Sequence, residues 1–134
     1  MGGVIAFALA LLTILGAAPG ASLPRLHVHQ VIAKGSPLPV EGSIPYVRVV
    51  RLDGTAVVKR RLAPTSKPSA TIALTPGRYR LQSWQRYCDG NCTRLDPPSD
   101  RCSRRFTLDR GQRLAATITV RYGSGCKIAW SRAG

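Results

Sequence analysis

The sequence predicts an all-β sandwich built from seven antiparallel strands. Short runs of β-type residues follow one another after residue 22, separated by proline, glycine and aspartate turn signals at intervals of roughly 8–12 residues. The last clear run alternates, because Leu114, Ala116 and Ile118 share one face while Arg113 and Thr117 occupy the other. No segment beyond residue 22 has the period of an amphipathic helix. A chain of 134 residues with 44% hydrophobic content can bury one such core.

The seven strands can be placed in order along the chain. They are predicted at residues 25–32, 44–52, 55–62, 70–74, 78–87, 103–108 and 112–122. Asp53-Gly54 is typical of a two-residue β-hairpin, so we expect the second and third strands to pair. Residues 63–69 are predicted to be a loop, residues 88–102 a long loop bounded by cysteines, and residues 123–130 a tail.

The N-terminal segment, residues 1–22, has the features of a helical secretory signal peptide. It carries no charged side chain, and its apolar run of about fifteen residues is shorter than the roughly 20 that a membrane-spanning helix needs. Cleavage after Ser22 would release Leu23, and an uncleaved anchor is the alternative. Residues 23–134 are therefore expected to form one domain that is secreted or associated with the cell envelope, with no transmembrane span in the mature form.

The cysteines of this exported domain predict two disulfide bonds. They are Cys88, Cys92, Cys102 and Cys126. A four-thiolate zinc site is the alternative, but its second pair would be separated by 23 residues, where zinc pairs have roughly two to four. All four cysteines are expected at one end of the sandwich. Three pairings are possible, and the sequence does not choose between them; we favour Cys88–Cys102, closing the loop, with Cys92–Cys126, holding the tail.

One segment carries a family resemblance. The stretch L-T-P-G-R-Y-R-L at residues 74–81 resembles the L-x-P-G-x-Y-x-L signature of carboxypeptidase regulatory-like and collagen-adhesin B-type modules. Residues 35–49, followed by D-G-T at 53–55, look like the segment that precedes it in those modules. The resemblance implies a prealbumin-like, immunoglobulin-like sandwich with a structural or adhesive role; some such modules bind carbohydrate.

The resemblance also implies local roles and has limits. Pro76 would preset the turn, Gly77 would permit it, and Tyr79 and Leu81 would fill the core. No Lys and Asn pair is placed for an isopeptide bond, and the cysteine framework is an addition to the adhesin pattern. That framework, with its C-D-G-N-C string, also looks like small secreted proteins of high-GC bacteria.

The charge is strongly positive and belongs to the exported domain. Twenty Lys and Arg against six Asp and Glu give a formal charge of +14, none of it in residues 1–22. Such a charge attracts nucleic acid, sulfated glycans and anionic wall polymers. One strand concentrates it in a basic and aromatic row that alternates onto one face: Arg78, Arg80, Gln82, Trp84 and Arg86. Arginine can grip anionic groups and tryptophan offers a stacking plane.

This row can be extended or interpreted differently. The candidate extensions are Lys59, Arg60, Arg61, Arg101, Arg104 and Arg105. The alternative is a solvated sheet face on which arginine stems cover apolar surface.

Metal, cofactor and catalytic signals are weak. Loop oxygens at Asp89, Asn91, Asp96 and Asp100 form a fragment of a calcium loop, but no Glu follows at the required distance. His27 and His29 share a strand face, yet two ligands are too few for zinc. We therefore predict no metal and no cofactor.

A non-enzyme is also predicted. No hydrolase or phosphate-loop motif is present. The single conceivable carboxylate pair, Asp96 and Asp100, lies among arginines that would depress both pKa values, whereas a general acid needs a raised one.

These observations favour a non-catalytic extracellular binding or structural module, expected to be a monomer. Its partner would be an anionic polymer, another cell-envelope component or a protein. Two more specific hypotheses remain open. One is a polyanion binder that uses the row from Arg78 to Arg86. The other is a small hydrolase inhibitor that presents loop 88–102 to its target.

Overall fold

Nine β-strands make up the secondary structure of the described residues. The computed structural model describes residues 23–62 and 65–132. The strands are β1 (Arg25–Ile32), β2 (Ser43–Arg51), β3 (Ala56–Arg61), β4 (Ser69–Ala73), β5 (Gly77–Asp89), β6 (Arg94–Leu95), β7 (Ser99–Leu108), β8 (Arg113–Arg121) and β9 (Gly125–Arg132). The predicted signal peptide and its cleavage point at residues 1–22 lie outside the described residues. Within those residues, no helix is long and apolar enough to cross a membrane.

The strands form two sheets that share one core. The four-stranded sheet has the order β4-β1-β8-β9, and the five-stranded sheet places β5 between β2 on one side and β6 and β7 on the other. All pairs are antiparallel except β1 with β8, which run parallel from Arg25 opposite Arg113. Because β9 ends opposite the start of β8, both ends of the described chain lie at the same end of the sandwich.

The all-β prediction is confirmed, but the strand number is wrong: residues 23–62 and 65–132 contain nine strands, not seven. The tail expected at residues 123–130 is β9, which pairs with β8 along its whole length. Alternation of Cys126, Ile128 and Trp130 places three apolar side chains towards the core, and this explains why the segment joins the sheet. The other addition, β6, is a two-residue strand inside the predicted cysteine loop.

The core is formed by the inward positions of both sheets. Leu26 and Val28 of β1 belong to the same hydrophobic cluster as Val47 and Val49 of β2, and all four are fully buried. Each such side chain contributes about 1.5–3 kcal/mol by leaving water. Leu81 is buried among them on β5, so truncating it to alanine would cost about 2–5 kcal/mol.

The turn before β5 is closed by Tyr79. Its hydroxyl donates to the carbonyl oxygen of Thr75, while the Arg51 guanidinium lies 5.3 Å from the ring centroid. Tyr79 and Leu81 fill the core as expected. The role expected of Gly77 is wrong: it has no positive φ, and a Cβ there would be in ordinary contact, 3.5 Å from Arg51 and Tyr79.

The favoured disulfide pairing is also wrong. The bonds are Cys88–Cys92 and Cys102–Cys126. Cys102 pairs in register with Ser83, five residues along β5 from Cys88, which is about 17 Å at strand spacing. That separation is far beyond the roughly 7 Å between the Cα atoms of bonded cysteines. Cys92 instead returns to Cys88 through a tight turn, and Cys102–Cys126 joins the two sheets through β7 and β9.

Candidate ligand-binding face

Strand β5 divides its side chains between the core and the outside. Tyr79, Leu81, Ser83 and Gln85 are buried. The intervening residues of the predicted row, Arg78, Arg80, Gln82, Trp84 and Arg86, are exposed or half-buried on the outward side. The structure therefore places the five residues on one face, as the alternation predicts.

Neighbouring strands add to this outward surface, which we call the basic face. In register with β5 lie Tyr46 and Arg48 on β2, followed by Lys59 and Arg61 on β3. On the opposite side, Arg105 of β7 is in register with Arg80. The basic face comprises Tyr46, Arg48, Lys59, Arg61, Arg78, Arg80, Gln82, Trp84, Arg101, Ser103 and Arg105.

Three arginines of the predicted set are not part of the basic face. Arg60 lies opposite buried Val47, so its register position is inward. Arg104 is opposite buried Leu81, and its Nη1 donates to the carbonyl oxygen of Ile128 at 2.8 Å across the gap between the sheets. Arg86 donates to the carbonyl oxygens of Leu95 and Asp96 at 3.1 and 2.8 Å, which holds the cysteine loop.

An aromatic pair stands at the centre of the basic face. The rings of Tyr46 and Trp84 stack nearly parallel, with centroids 5.7 Å apart. Lys59 Nζ lies 5.9 Å from each of the two ring centroids, and Arg48 Cζ lies 5.9 Å from that of Trp84. Such cation–π contacts keep the cations beside the rings, where both are available to one ligand.

A depression opens beside this pair, between β5 and β7. The register shifts there: Ser83 pairs with Cys102 but Gln85 pairs with Ser99, so two β7 residues face Trp84 alone. One of the two, Asp100, has a positive φ of 50°. This β-bulge bends the strand, and the resulting depression of about 540 Å³ is lined by Arg48, Gln82, Ser83, Trp84, Pro98, Arg101, Cys102 and Ser103.

The positive charge is concentrated on the five-stranded sheet. Of the twenty Lys and Arg residues, two lie on β2, three on β3, three on β5, one on β6 and three on β7, which makes twelve. The strands of the four-stranded sheet carry five, one on β1 and two each on β8 and β9. The acidic residues fall in turns and at strand ends, and none has an outward position on the basic face: Glu41, Asp53, Asp89, Asp96, Asp100 and Asp109.

The side-chain oxygens of the candidate calcium loop do not converge on one point; the four residues are Asp89, Asn91, Asp96 and Asp100. Asp96 is hydrogen-bonded to Asp89, and this bond raises the pKa of its carboxyl group, so the expectation that nearby arginines depress this pKa is wrong. Asp100 instead accepts from the Tyr87 hydroxyl and from the backbone N–H groups of Gly123 and Gly125, the latter at 3.0 Å. Among residues 23–62 and 65–132, no group of three or more His, Cys, Asp and Glu side chains is placed to hold a metal.

The histidine pair lies on the outward side of the four-stranded sheet. The His27 and His29 rings are 6.0 Å apart, and each contacts a threonine hydroxyl, Thr71 at 2.9 Å and Thr117 at 3.1 Å. These contacts are those of a satisfied polar sheet surface. The inhibitor hypothesis stays a prediction, because the Cys88–Cys92 turn and the Arg86 bonds describe how the loop is held, not what it meets.

Two central residues of the basic face, Tyr46 and Arg48, were missed by the sequence reasoning. The signal existed, because residues 44–51 alternate and place both on the face opposite Val47 and Val49. The depression had no signal of this kind, since a bulge changes pairing without changing the sequence pattern.

Comparison with known proteins shows a shared fold. No family model matches the chain, and no curated protein matches it in sequence. A candidate cell adhesion protein of Bacteroides ovatus superposes with a TM-score of 0.52 and 12% identity, over 83% of this chain and 44% of that chain. Another, from Bacteroides fragilis, gives a TM-score of 0.40 and 9% identity over 85% and 46%. This chain thus spans less than half the length of either protein, and the first superposition shows a common fold.

Proposed function

We propose that this chain is a non-catalytic, extracellular binding module whose ligand is an anionic polymer held by the basic face. Two disulfide bonds within about 40 residues favour an oxidising compartment, in agreement with the expected export. The likeness in fold to a candidate cell adhesion protein also favours a surface role. We further propose a prealbumin-like class for the sandwich, supported by the Tyr79 turn in the L-T-P-G-R-Y-R-L segment.

The observation that carries the proposal is the arrangement of charge around an aromatic pair. Arg48 and Lys59 lie beside stacked Tyr46 and Trp84, and no carboxylate has an outward position among them. On a sheet that only needed solubility, acids and bases would be interspersed. Unneutralised cations spaced along a flat surface suit a chain of phosphate, sulfate or carboxylate groups.

Salt dependence tests this proposal. The purified protein would be applied to immobilised heparin and, separately, to duplex DNA. Elution only above about 0.5 M salt, with log affinity falling linearly against log salt, is the expected result. Passage through both columns at about 0.1 M salt, where charges still interact over roughly 10 Å, would contradict the function.

A further inference from the structure

We infer that the depression beside Trp84 is a subsite for one acidic sugar residue, a pyranose ring carrying a carboxylate or sulfate group. The inference rests on the proposed polyanion binding and names the ligand class that the basic face would select. Its chemistry comes from the β5–β7 bulge, from Trp84, and from the two arginines at the edges of the depression.

The shape of the depression is the first support. A bulge that sets Asp100 and Arg101 against Trp84 makes a concavity on what would otherwise be a flat sheet. Its volume of about 540 Å³ falls within the range of roughly 300–1,000 Å³ for small-molecule sites. A flat cationic sheet could attract any polyanion, whereas a concavity can exclude those whose units do not fit.

The lining chemistry is the second support. The Trp84 indole offers an apolar ring surface, and sugar C–H groups can pack on such a surface. The Gln82 amide and the Ser103 hydroxyl provide polar groups for sugar hydroxyls. Ser83 also borders the depression, but its hydroxyl lies on the core side of β5 and is not available to a ligand on the outward face.

The two arginines supply the selectivity for an acid. Gln82 Oε1 accepts from Arg48 Nε at 2.7 Å, which fixes the guanidinium and leaves its remaining N–H groups for an anion. Arg101 lines the same depression from β7. Planar guanidinium groups bind carboxylate and sulfate by paired hydrogen bonds. A neutral sugar would leave both cations without a partner, so we expect neutral oligosaccharides to bind poorly.

Nucleic acid fits the depression less well than an acidic glycan. Single-stranded nucleic acid is held by successive bases stacked on open aromatic surfaces. Here Trp84 is the one aromatic side chain among the eight residues that line the depression, and the polar groups beside the indole suit hydroxyls. Nucleic acid should therefore bind the wider basic face through its phosphates, without using the depression.

Tryptophan fluorescence can report on the subsite directly. The chain has two tryptophans, so Trp130→Phe leaves Trp84 as the single reporter. This protein would be titrated at fixed salt with a heparin-derived tetrasaccharide, a tetragalacturonate and a neutral tetrasaccharide. Thymidine oligonucleotides, each with the same charge as one of the two acidic tetrasaccharides, would be titrated for comparison. We expect a saturable Trp84 change with at least one acidic tetrasaccharide, at least tenfold tighter than with the oligonucleotide and absent with the neutral sugar. The two acidic probes distinguish sulfate from carboxylate.

Matched variants separate this inference from the wider function. Arg101→Gln should lower the affinity for the preferred tetrasaccharide about tenfold or more, while it should change the affinity for the oligonucleotide less than about threefold. Arg105 lies on the same face but outside the depression. Arg105→Gln should therefore lower the affinity for all anionic probes by a similar factor, which should be smaller than the loss that Arg101→Gln causes for the tetrasaccharide. Circular dichroism would confirm that each variant folds.

If heparin retention persists but Arg101→Gln and Arg105→Gln behave alike, or the oligonucleotide binds as tightly as both sugars, the subsite is refuted and the polyanion function stands. If no anionic probe binds, both fail together.

Discussion

The two outward faces of the sandwich are both β-sheet surfaces, and they differ in chemistry. At the middle of the four-stranded sheet, His27 and His29 lie among threonine, alanine and serine. At the middle of the five-stranded sheet, cations surround the Tyr46–Trp84 pair. A composition that merely favoured arginine would spread it evenly over both faces, whereas the outward cations of the four-stranded sheet lie towards the ends of its strands. The difference therefore indicates that the cations of this protein are concentrated at a particular place on its surface.

What the two sheets share is the core and the bonds that join them. Cys102–Cys126 and a buried glutamine pair both cross from one sheet to the other. Changes at these points should alter the unfolding of the whole domain, whereas changes in outward charge should act on one face alone.

The largest effect should follow loss of the bond between the sheets. Cys102→Ser with Cys126→Ser opens a loop of about 25 residues and should lower the free energy of unfolding by about 3.5 kcal/mol. Cys88→Ser with Cys92→Ser opens a loop of about five residues and should cost about 2 kcal/mol. Urea unfolding of both double variants measures the difference. A larger loss from the shorter loop would mean that the sheets do not depend on the Cys102–Cys126 bond.

A smaller effect is expected at the buried glutamines. Gln85 Nε2 donates to Gln30 Oε1 at 2.7 Å, and Gln85 Oε1 accepts from the Ser43 hydroxyl at 2.9 Å. Gln30→Leu would leave a buried donor unsatisfied and should cost about 1–3 kcal/mol. Adding Gln85→Leu should cost less than the two single changes together, because both partners are then removed. Strict additivity in a double-mutant cycle would show that the bond does not couple the sheets.

Alkaline pH should weaken the contacts of the Tyr87 hydroxyl, which donates to Asp100 of β7 and accepts from the backbone N–H of Gly123, between β8 and β9 of the other sheet. Partial burial, followed by the hydrogen bond to Asp100, raises the pKa of Tyr87 above its ordinary value of 10.0. The folded state therefore keeps a proton that the unfolded state releases, and this stabilisation is present below pH 10 and is lost as pH rises through the folded pKa. Tyr87→Phe should show a shallower decline in unfolding free energy above pH 10. A parallel decline in both proteins would contradict the assignment to Tyr87.

The smallest effect should come from adding charge to the outward face of the four-stranded sheet. Ser69, Ala129 and Ser131 are exposed there and can be changed together to arginine. Heparin affinity should rise by less than about threefold, because that face lacks the aromatic pair and the depression. A gain as large as the loss produced by neutralising the basic face would mean that arrangement is unimportant.

Local patterns predicted much of the fold and half of the site. Alternation identified the strands and the outward row on β5, because side-chain direction is a property of one strand. The same alternation at Tyr46 and Arg48 would have found the centre of the face. It also ran through Ile128 and Trp130, although two glycines, Gly123 and Gly125, made that segment look like a tail.

Pairing between distant segments could not be predicted in the same way. The position of Cys102 depends on its register opposite Ser83, and the depression depends on one extra β7 residue opposite Trp84. Neither is set by residues near in sequence, since register follows from how whole strands pack. The cysteine pairing and the shape of the site therefore required the three-dimensional structure.

The most direct test of the account neutralises each face by the same amount. One variant changes Arg48, Lys59, Arg101 and Arg105 to glutamine; its control changes Arg25, Arg113, Arg121 and Lys127, which lie outward on the other sheet. Each loses three arginines and one lysine, so the net charges remain equal. Heparin affinity at fixed salt should fall by about 100-fold in the first and less than about threefold in the second. Equal losses of heparin affinity would show that binding follows total charge and that the basic face is not a specific binding site.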